Sequence, residues 1–355
     1  VEESDVLDLT EELFTGLVET VVPKKTLIRP FPRLSYSEAM ARFGTDKPDL
    51  RFAMEIGDLT DIAAKSQFQV IRGVADSGGV IKGLSASGCA SYTRKQIDEL
   101  TSFAQERGAL GLITLALYGD PDGSLEDLDQ ENIRSPIARH LSLEEVQNMA
   151  YRLNAKPGDL LLIVAGSSKV TNLVLSQLRN EMGRQLGLAD PDLLVFTFVQ
   201  DFPLFEWNQE SGRLDSAHHP FTAPRDEDMA ILEKSPENAL SKAYDMVCNG
   251  VEVASGSIRI HKRDVQEHIF QCLGYDNKQI EEQFGHLLEA LEYGAPPHGG
   301  IAPGIDRLIQ IFTGSNSIRD VIAFPKTQNA ADPLFGAPSP VYDSQLRDLY
   351  IKITN

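Results

Sequence analysis

The chain has 355 residues and a formal net charge of −19, with hydrophobic and charged fractions of 42% and 24% that are ordinary for a globular protein. This length predicts two domains, or one large domain that carries an insertion. The excess of acidic residues argues against a broad basic surface for nucleic acid, so any grip on RNA must come from a local patch or a missing segment.

The cysteines and the N-terminal stretch indicate a compartment. Cys89, Cys248 and Cys272 lie far apart, which argues against a cysteine zinc site or a disulfide framework and is typical of a reducing cytosol. The N-terminal stretch is acidic and lacks the apolar core of a signal peptide, and no apolar run approaches the ~18 residues of a membrane span. We therefore expect a cytoplasmic protein with no membrane partner. The absence of an initiator methionine predicts a truncated or processed chain.

The first predicted elements are two helices. One covers residues 6–20, and the other is opened by a capping box of Ser35 and Glu38 and ends at Gly44. A polar stretch at 45–49 follows the second helix.

From about residue 62 to residue 166 the pattern changes. Strand-like apolar runs at 68–71, 111–117 and 160–165 alternate with two helices that begin with capping boxes. The acidic loop at 119–132 is predicted to be a solvated surface turn. This pattern predicts a compact α+β insert that is joined to its host at both ends.

The last part of the chain contains a hairpin signal. Asn249 and Gly250 form the strongest short-range turn signal in a sequence when strand-like residues flank them. The predicted elements here are a helix at 168–186, a buried strand at 193–199, hairpin strands at 244–247 and 251–253, helices at 263–273 and 277–292, and a Gly-rich turn at 299–307 that runs into a helix.

The hairpin brings two carboxylates together. A two-residue turn places Val247 opposite Glu252 and Asp245 opposite Ala254, so Asp245 and Glu252 project from the same face. Two carboxylates that lie close together repel unless a cation lies between them, and hard oxygen ligands suit Mg²⁺. The alternative is a solvated acidic face, which spacing alone slightly favours.

Arg259 has the opposite parity along the second strand. It shares the face of Glu252 only if the strand bulges, and the Ala-Ser-Gly stretch at 254–256 is the predicted place because small residues mark bulges. Its planar guanidinium suits a carboxylate ligand. The alternative is an ordinary surface ion pair.

Two other features carry weaker signals. His218 and His219 precede a proline, and neighbouring residues of an extended chain face opposite ways, so joint ligation of one metal is disfavoured. The stretch at 299–307 combines a helix start with Arg307, which favours anions. It lacks the Walker pattern and a preceding βαβ unit, and such runs are more often simple tight turns.

The sequence at 299–307, Gly-Gly-Ile-Ala-Pro-Gly-Ile-Asp-Arg, resembles motif 3 of the class II aminoacyl-tRNA synthetases. The surrounding stretches narrow the resemblance to the bacterial aspartyl-tRNA synthetases, and the insert resembles the GAD domain that this family shares with an amidotransferase subunit. The resemblance runs from end to end. Its most specific stretches are 44–51, 201–207, 217–222, 249–260, 293–298 and 318–327, with 88–96 and 135–138 in the insert.

The resemblance implies an α+β fold, in which a class II synthetase-type antiparallel sheet is flanked by helices and carries an inserted α+β GAD domain. It divides the chain into a first catalytic segment at 1–65, the insertion at 66–165 and a second catalytic segment with motif 3 at 166–355. The start of the chain resembles the stretch after motif 2. The N-terminal OB domain, the dimer-forming motif 1 and motif 2 are therefore predicted to be absent.

The resemblance also implies roles for individual residues. His218 and Arg259 hold the substrate L-aspartate, with His219 as an alternative, and Asp245 and Glu252 serve Mg²⁺ and ATP. The residues that line the nucleotide site are Glu252, Gly304, Ile305, Asp306 and Arg307, of which Arg307 binds the triphosphate and Glu252 and Arg307 count as catalytic.

Two departures from the family pattern occur. Three glycines are usual where this chain has Ala-Ser-Gly at 254–256, which predicts crowding of the substrates, and Pro303 replaces a bulky apolar residue near a helix start.

The implied activity is an aspartate–tRNA ligase that works with ATP, Mg²⁺ and tRNA-Asp, forms a homodimer in its full-length form and reaches the tRNA through the missing N-terminal domain. The chain alone is predicted not to be competent. The alternative is a truncated, non-catalytic paralogue that acts as a binding or scaffold protein.

Overall fold

The computed structural model describes residues 1–354, which form two compact units, Val1–Pro303 and the segment from Gly304 onward. The helices are α1 (Glu3–Val21), α2 (Tyr36–Phe43), α3 (Thr60–Ala63), α4 (Gln69–Asp76), α5 (Arg94–Gln105), α6 (Leu143–Arg152), α7 (Ser168–Gln185), α8 (Met229–Leu232), α9 (Arg263–Cys272), α10 (Asn277–Glu292), α11 (Ile305–Thr313) and α12 (Asp343–Asp348). The strands are β1 (Thr26–Leu27), β2 (Arg33–Ser35), β3 (Gly57–Asp58), β4 (Val80–Ala86), β5 (Ile113–Leu117), β6 (Ile133–Arg134), β7 (Leu160–Gly166), β8 (Leu193–Leu194), β9 (Phe196–Gln200), β10 (Phe205–Asn208), β11 (Arg213–Ser216), β12 (Ala243–Cys248), β13 (Val251–Ile258) and β14 (Gly299–Pro303). Within residues 1–354, none of these helices combines the length and the apolar composition that crossing a membrane requires.

A five-stranded sheet of the first unit carries the predicted hairpin. Its strand order is β14-β13-β12-β9-β2, and neighbouring strands are antiparallel except that β2 runs parallel to β9. All six residues of β12 are buried, so Asp245 is a carboxylate within an otherwise apolar strand. The predicted α+β class, with an antiparallel sheet flanked by helices, is confirmed.

Helices cover both faces of this sheet. On one face, the ring of Phe14 in α1 packs edge-on against Phe196, with ring centroids 5.4 Å apart. On the other face, Val199 and Val247 share a core cluster with Phe43 of α2. Successive side chains of a strand point to opposite faces, which is why β9 contributes to both layers.

A second five-stranded sheet, with the order β3-β4-β7-β5-β6, is antiparallel throughout. Its central strand β7 sends Leu161 and Ile163 into one core cluster and Leu162 and Val164 into another. Because both faces are covered, β7 reads in the sequence as an unbroken apolar run rather than an alternating one.

Two predicted strands differ from the structure. The run at 68–71 is wrong as a strand, because it leads into helix α4, which buries only Ile71. Short apolar runs do not distinguish a strand from a buried helical turn. The run at 193–199 is interrupted at Val195, and its two parts pair with different neighbours, β8 with β1 and β9 with β12.

A buried arginine in α7 fixes the segment that follows α2. The Arg179 guanidinium donates to the carbonyls of Phe52 (2.7 Å), Ala53 (3.0 Å) and Met54 (3.1 Å). It also lies 5.0 Å from the ring centroid of Phe43 and 4.2 Å from that of Phe52. Burial lowers the pKa of Arg179 to about 10. The segment at 52–54 is therefore held by α7, while the domain boundaries at residues 65 and 165 stay predictions.

Candidate functional site

The predicted hairpin turn is present. Asn249 and Gly250 have φ values of 52° and 85°, the pair of positive values that a type I′ turn requires. The Asn249 side chain accepts from the Val195 amide (3.0 Å) and donates to the Leu193 carbonyl (2.8 Å). These two bonds tie the turn to the neighbouring strands and fix its position.

A β-bulge lies closer to the turn than predicted. The predicted pairing of Asp245 with Ala254 is wrong, because Asp245 lies opposite Ser255, while Glu252 keeps its predicted partner. Val253 is the extra residue that shifts the register. The bulge expected at 254–256 therefore occurs one residue earlier.

Asp245 and Glu252 lie on one face of the hairpin. Glu252 is opposite Val247, and Asp245 is two residues from Val247 along β12, so all three share a face. Asp245 is 4% exposed, and its Oδ1 atom has no hydrogen-bond partner. Burial raises the pKa of Asp245, a hydrogen bond from Ser255 opposes the shift, and the charge of Glu252 adds to it.

The bulge also changes which residues of β13 share the face of Asp245. Ser255 and Ser257 lie opposite Asp245 and Ala243, so alternation continues towards Arg259 on that face. The Arg259 amide donates to the His298 carbonyl (2.9 Å), which holds the chain in register with the strand beside it. Arg259 therefore has the strand parity of the face that carries Asp245 and Glu252, as the sequence predicts for a bulged strand.

The two histidines have different neighbours. The His218 ring packs edge-on against Phe202, with centroids 4.8 Å apart. The His219 ring contacts the Arg259 guanidinium, where Nη1 approaches Nε2 most closely. Burial lowers the pKa of His219, and the charge of Arg259 lowers it further. The lowered pKa favours the neutral form of His219 beside the Arg259 cation, whereas His218 packs against Phe202.

A lysine that no sequence pattern indicated lies at the carboxylate pair. The Lys47 ammonium lies 2.9 Å from Glu252 Oε2 and 4.0 Å from Asp46 Oδ2. The hydrogen bond to Glu252 raises the pKa of Lys47, and the charges of Asp46 and Asp245 add to this effect against the opposing effect of burial. The only sequence signal was a lysine between aspartates in the polar stretch at 45–49.

The carboxylate oxygens of Asp245 and Glu252 suit a metal ion that also binds a nucleotide. Within residues 1–354, no group of three or more His, Cys, Asp or Glu side chains is placed to hold a metal ion. Mg²⁺ usually takes one or two protein carboxylates and completes its shell with phosphates and water. The partnerless Oδ1 of Asp245 beside Glu252 fits that pattern, provided that a nucleotide supplies further oxygens.

The first part of the predicted Gly-rich turn is a strand. β14 pairs with β13 along its whole length, so the prediction of a turn at 299–303 is wrong. Gly256 explains the close pairing: a Cβ atom there would overlap the Gly300 carbonyl and lie 2.6 Å from Tyr244 Cε2. The Tyr244 hydroxyl donates to that same carbonyl (3.1 Å). Pro303 ends this edge strand, a place where a missing amide hydrogen is tolerated.

The second unit begins with the predicted helix. Gly304 is the N-cap residue of α11, and Ile305, Asp306 and Arg307 form its first turn, so Arg307 is the third helical residue. Asp306 in the first turn suits the positive end of the helix dipole. A helix that starts within 299–307 and carries Arg307 near its N-terminus is therefore present, as predicted.

Relatives of known name align with nearly the whole chain. The aspartate–tRNA(Asp/Asn) ligase of Dehalococcoides mccartyi (strain CBDB1) is 53% identical over 353 residues, which are 99% of this chain and 59% of that protein. The ligase of the same name from Rubrobacter xylanophilus is 46% identical over 351 residues, 99% of this chain and 57% of that protein. The chain thus spans less than two thirds of the length of the curated relatives that it matches.

A solved structure also aligns. The aspartyl-tRNA synthetase from Entamoeba histolytica has 17% sequence identity and a TM-score of 0.40, and the alignment covers 94% of this chain and 42% of that one. The family model described as tRNA synthetases class II (D, K and N) matches residues 1–328. The chain therefore belongs to the class II tRNA synthetases of the D, K and N group.

Proposed function

We propose that this chain carries the aspartate- and ATP-binding part of an aspartate–tRNA ligase. In this reaction a carboxylate oxygen of L-aspartate attacks the α-phosphorus of ATP, which forms aspartyl-adenylate and releases pyrophosphate. The terminal ribose hydroxyl of tRNA-Asp then attacks the activated carbonyl and releases AMP. Such chemistry depends mainly on positioning and on stabilisation of charge.

The observation that carries the proposal is the carboxylate pair on the hairpin. Asp245 is buried with a partnerless oxygen, and Glu252 lies on the same face with its side chain a quarter exposed. A buried carboxylate oxygen without a partner is costly unless a ligand compensates for it. Bound Mg²⁺ would offset the charge of the ATP phosphates, and these two side chains would hold it on the protein side.

Arg259 is the residue proposed to hold the substrate aspartate. Burial lowers the pKa of Arg259. A partly desolvated guanidinium favours a carboxylate partner and offers two parallel donors. His218 is proposed to hold the same substrate, and neutral His219 supports Arg259 without adding a second positive charge.

Other parts of the proposal rest on the family resemblance. Gly304, Ile305 and Asp306 are assigned to the nucleotide, and Arg307 to its triphosphate. The segment at 66–165 is assigned to a GAD-like domain, and homodimerisation and a cytoplasmic location are expected of the full-length protein. The relatives named above are ligases for tRNA(Asp/Asn), so tRNA-Asn is a second substrate to test.

The test is aspartate-dependent exchange between ATP and labelled pyrophosphate, in a polypeptide that extends this sequence to the length of its relatives. Glu252→Gln is expected to lower the rate by about 10²-fold, the usual scale for removing one group that stabilises charge in the transition state. Glu267→Gln is the matched control, because Glu267 pairs with Arg263 on the surface of α9. The absence of exchange would favour the non-catalytic alternative, and exchange that does not require aspartate would contradict aspartate as the substrate. Charging of tRNA-Asp and tRNA-Asn is measured separately.

A further inference from the structure

Lys47 already places a positive charge at the carboxylate pair in this structure. Its ammonium is 2.9 Å from Glu252, and the side chains of Lys47 and Glu252 are 41% and 25% exposed. Asp46 and Asp245 are the other carboxylates whose charges act on Lys47. Neighbouring carboxylates repel each other, and a single ammonium reduces that repulsion.

The surrounding fold holds the Lys47 backbone in place. Gly44 ends α2 with a φ of 68°, and a Cβ atom there would lie 2.6 Å from the Asn172 carbonyl oxygen, so the chain turns tightly against α7. The Lys47 amide then donates to Thr45 Oγ1 (3.1 Å). On the other side, the turn residue Gly250 packs next to the Lys47 carbonyl. The position is therefore fixed by α2, α7 and the hairpin turn, while the long side chain can still rotate.

We propose that Lys47 is an internal counter-cation that occupies the cation position at Glu252 and competes there with a divalent metal. The inference rests on the proposed function, because it takes the Asp245–Glu252 pair as the metal-binding edge of the ATP site. When metal and nucleotide arrive together, the ammonium leaves Glu252 for the solvent or for Asp46. The lysine thereby disfavours metal binding without nucleotide and keeps a positive charge at Glu252 between turnovers.

The small number of metal ligands around Glu252 is the reason that an ammonium can compete with a metal ion there. Without nucleotide, the described chain offers no group of three ligands for a metal. Two carboxylates that are already paired with an ammonium bind a hydrated Mg²⁺ weakly, because Mg²⁺ loses its water reluctantly. Removal of the ammonium takes one positive charge away from the carboxylates and raises their attraction for any divalent ion.

The test measures binding of Mn²⁺ alone to this chain by electron paramagnetic resonance of the free ion. Lys47→Met is expected to tighten binding on the order of tenfold, because one unit of positive charge is removed next to the pair. Lys47→Arg keeps the charge and should bind Mn²⁺ as the original chain does. Lys25→Met is the matched control, because Lys25 forms a 2.9 Å ion pair with Asp192, which is not among the carboxylates that act on Lys47.

A double variant assigns the gained affinity to the pair. Adding Glu252→Gln to Lys47→Met should abolish the gain; if the gain persists, the new metal lies elsewhere and the inference fails. Unchanged or weaker Mn²⁺ binding in Lys47→Met, with unfolding by urea as in the original chain, also overturns it. Lys47→Gln provides a second neutral variant should the methionine variant fold poorly. Failure of the proposed function is seen differently, as pyrophosphate exchange that Glu252→Gln leaves unchanged.

Discussion

The Arg259→Lys substitution tests whether Arg259 binds the substrate carboxylate or forms only a surface ion pair. Lysine keeps the positive charge but has no planar pair of donors, so one charge-assisted hydrogen bond to the substrate carboxylate is lost. Such a bond contributes about 1.5–3 kcal/mol, which corresponds to a loss in aspartate affinity of about 10- to 150-fold. Lysine also has no Nη1 atom, so the contact of that atom with the His219 ring is lost and the ring no longer supports the side chain at position 259. ATP affinity is expected to change little.

The assay is a calorimetric titration of L-aspartate and of ATP against the polypeptide extended to the length of its relatives. Arg263→Lys is the control, because this arginine forms ion pairs with Glu267 of α9 (2.8 Å) and with Glu292 (3.2 Å) and Glu281 (3.7 Å) of α10, outside the proposed site. An exposed pair of that kind contributes about 0–1 kcal/mol, and its loss should not distinguish the two ligands. Unchanged aspartate affinity in Arg259→Lys, or an equal loss for aspartate and ATP, would refute the assignment of Arg259 to the substrate.

Three further predictions concern stability and are measured by urea denaturation of this chain. Gly256→Ala should destabilise the fold by about 1–3 kcal/mol, because the new methyl group meets the backbone of β14 and cannot be relieved by a side-chain rotation; an unchanged midpoint would contradict this. Arg179→Met should cost about 3 kcal/mol or more, because three backbone carbonyls lose their donor, whereas a loss below about 1 kcal/mol would show that water replaces it. Glu3→Gln should stabilise the chain at neutral pH. Burial raises the pKa of Glu3, so its ionised form is disfavoured in the folded state; the gain should shrink as the pH falls towards the ordinary value of a glutamate, and a gain independent of pH would contradict this cause.

The sequence predicted local features of the site well, because local chemistry decides them. Asn249 and Gly250 form the expected turn, since both adopt the positive φ values that a type I′ turn needs. Ser35 accepts a hydrogen bond from the Glu38 amide and begins α2, which is half of the predicted capping box; the Glu38 carboxylate accepts from Arg42. These outcomes require no knowledge of distant residues.

Long-range pairing could not be predicted in the same way. Lys47 reaches Glu252 across 205 positions of sequence (252 minus 47), and no local pattern marks it as a partner. The 299–303 stretch forms an edge strand because β13 is available beside it, whereas its composition is that of a turn. The run at 68–71 failed for a related reason, because only the surrounding core determines whether so short a run becomes a strand or leads into a helix.

The glycine-poor stretch at 254–256 shows how a one-residue register shift changes the structural effect of a substitution. With the predicted register, Ala254 would face Asp245 and could only crowd the site. The bulge at Val253 instead places Ser255 there, and its hydroxyl hydrogen-bonds the carboxylate and moderates the rise in the pKa of Asp245. Gly256 is the residue of this stretch whose Cβ atom would overlap backbone. The departure at 255 therefore supplies a polar contact to the proposed metal ligand, and the glycine that packing requires is retained.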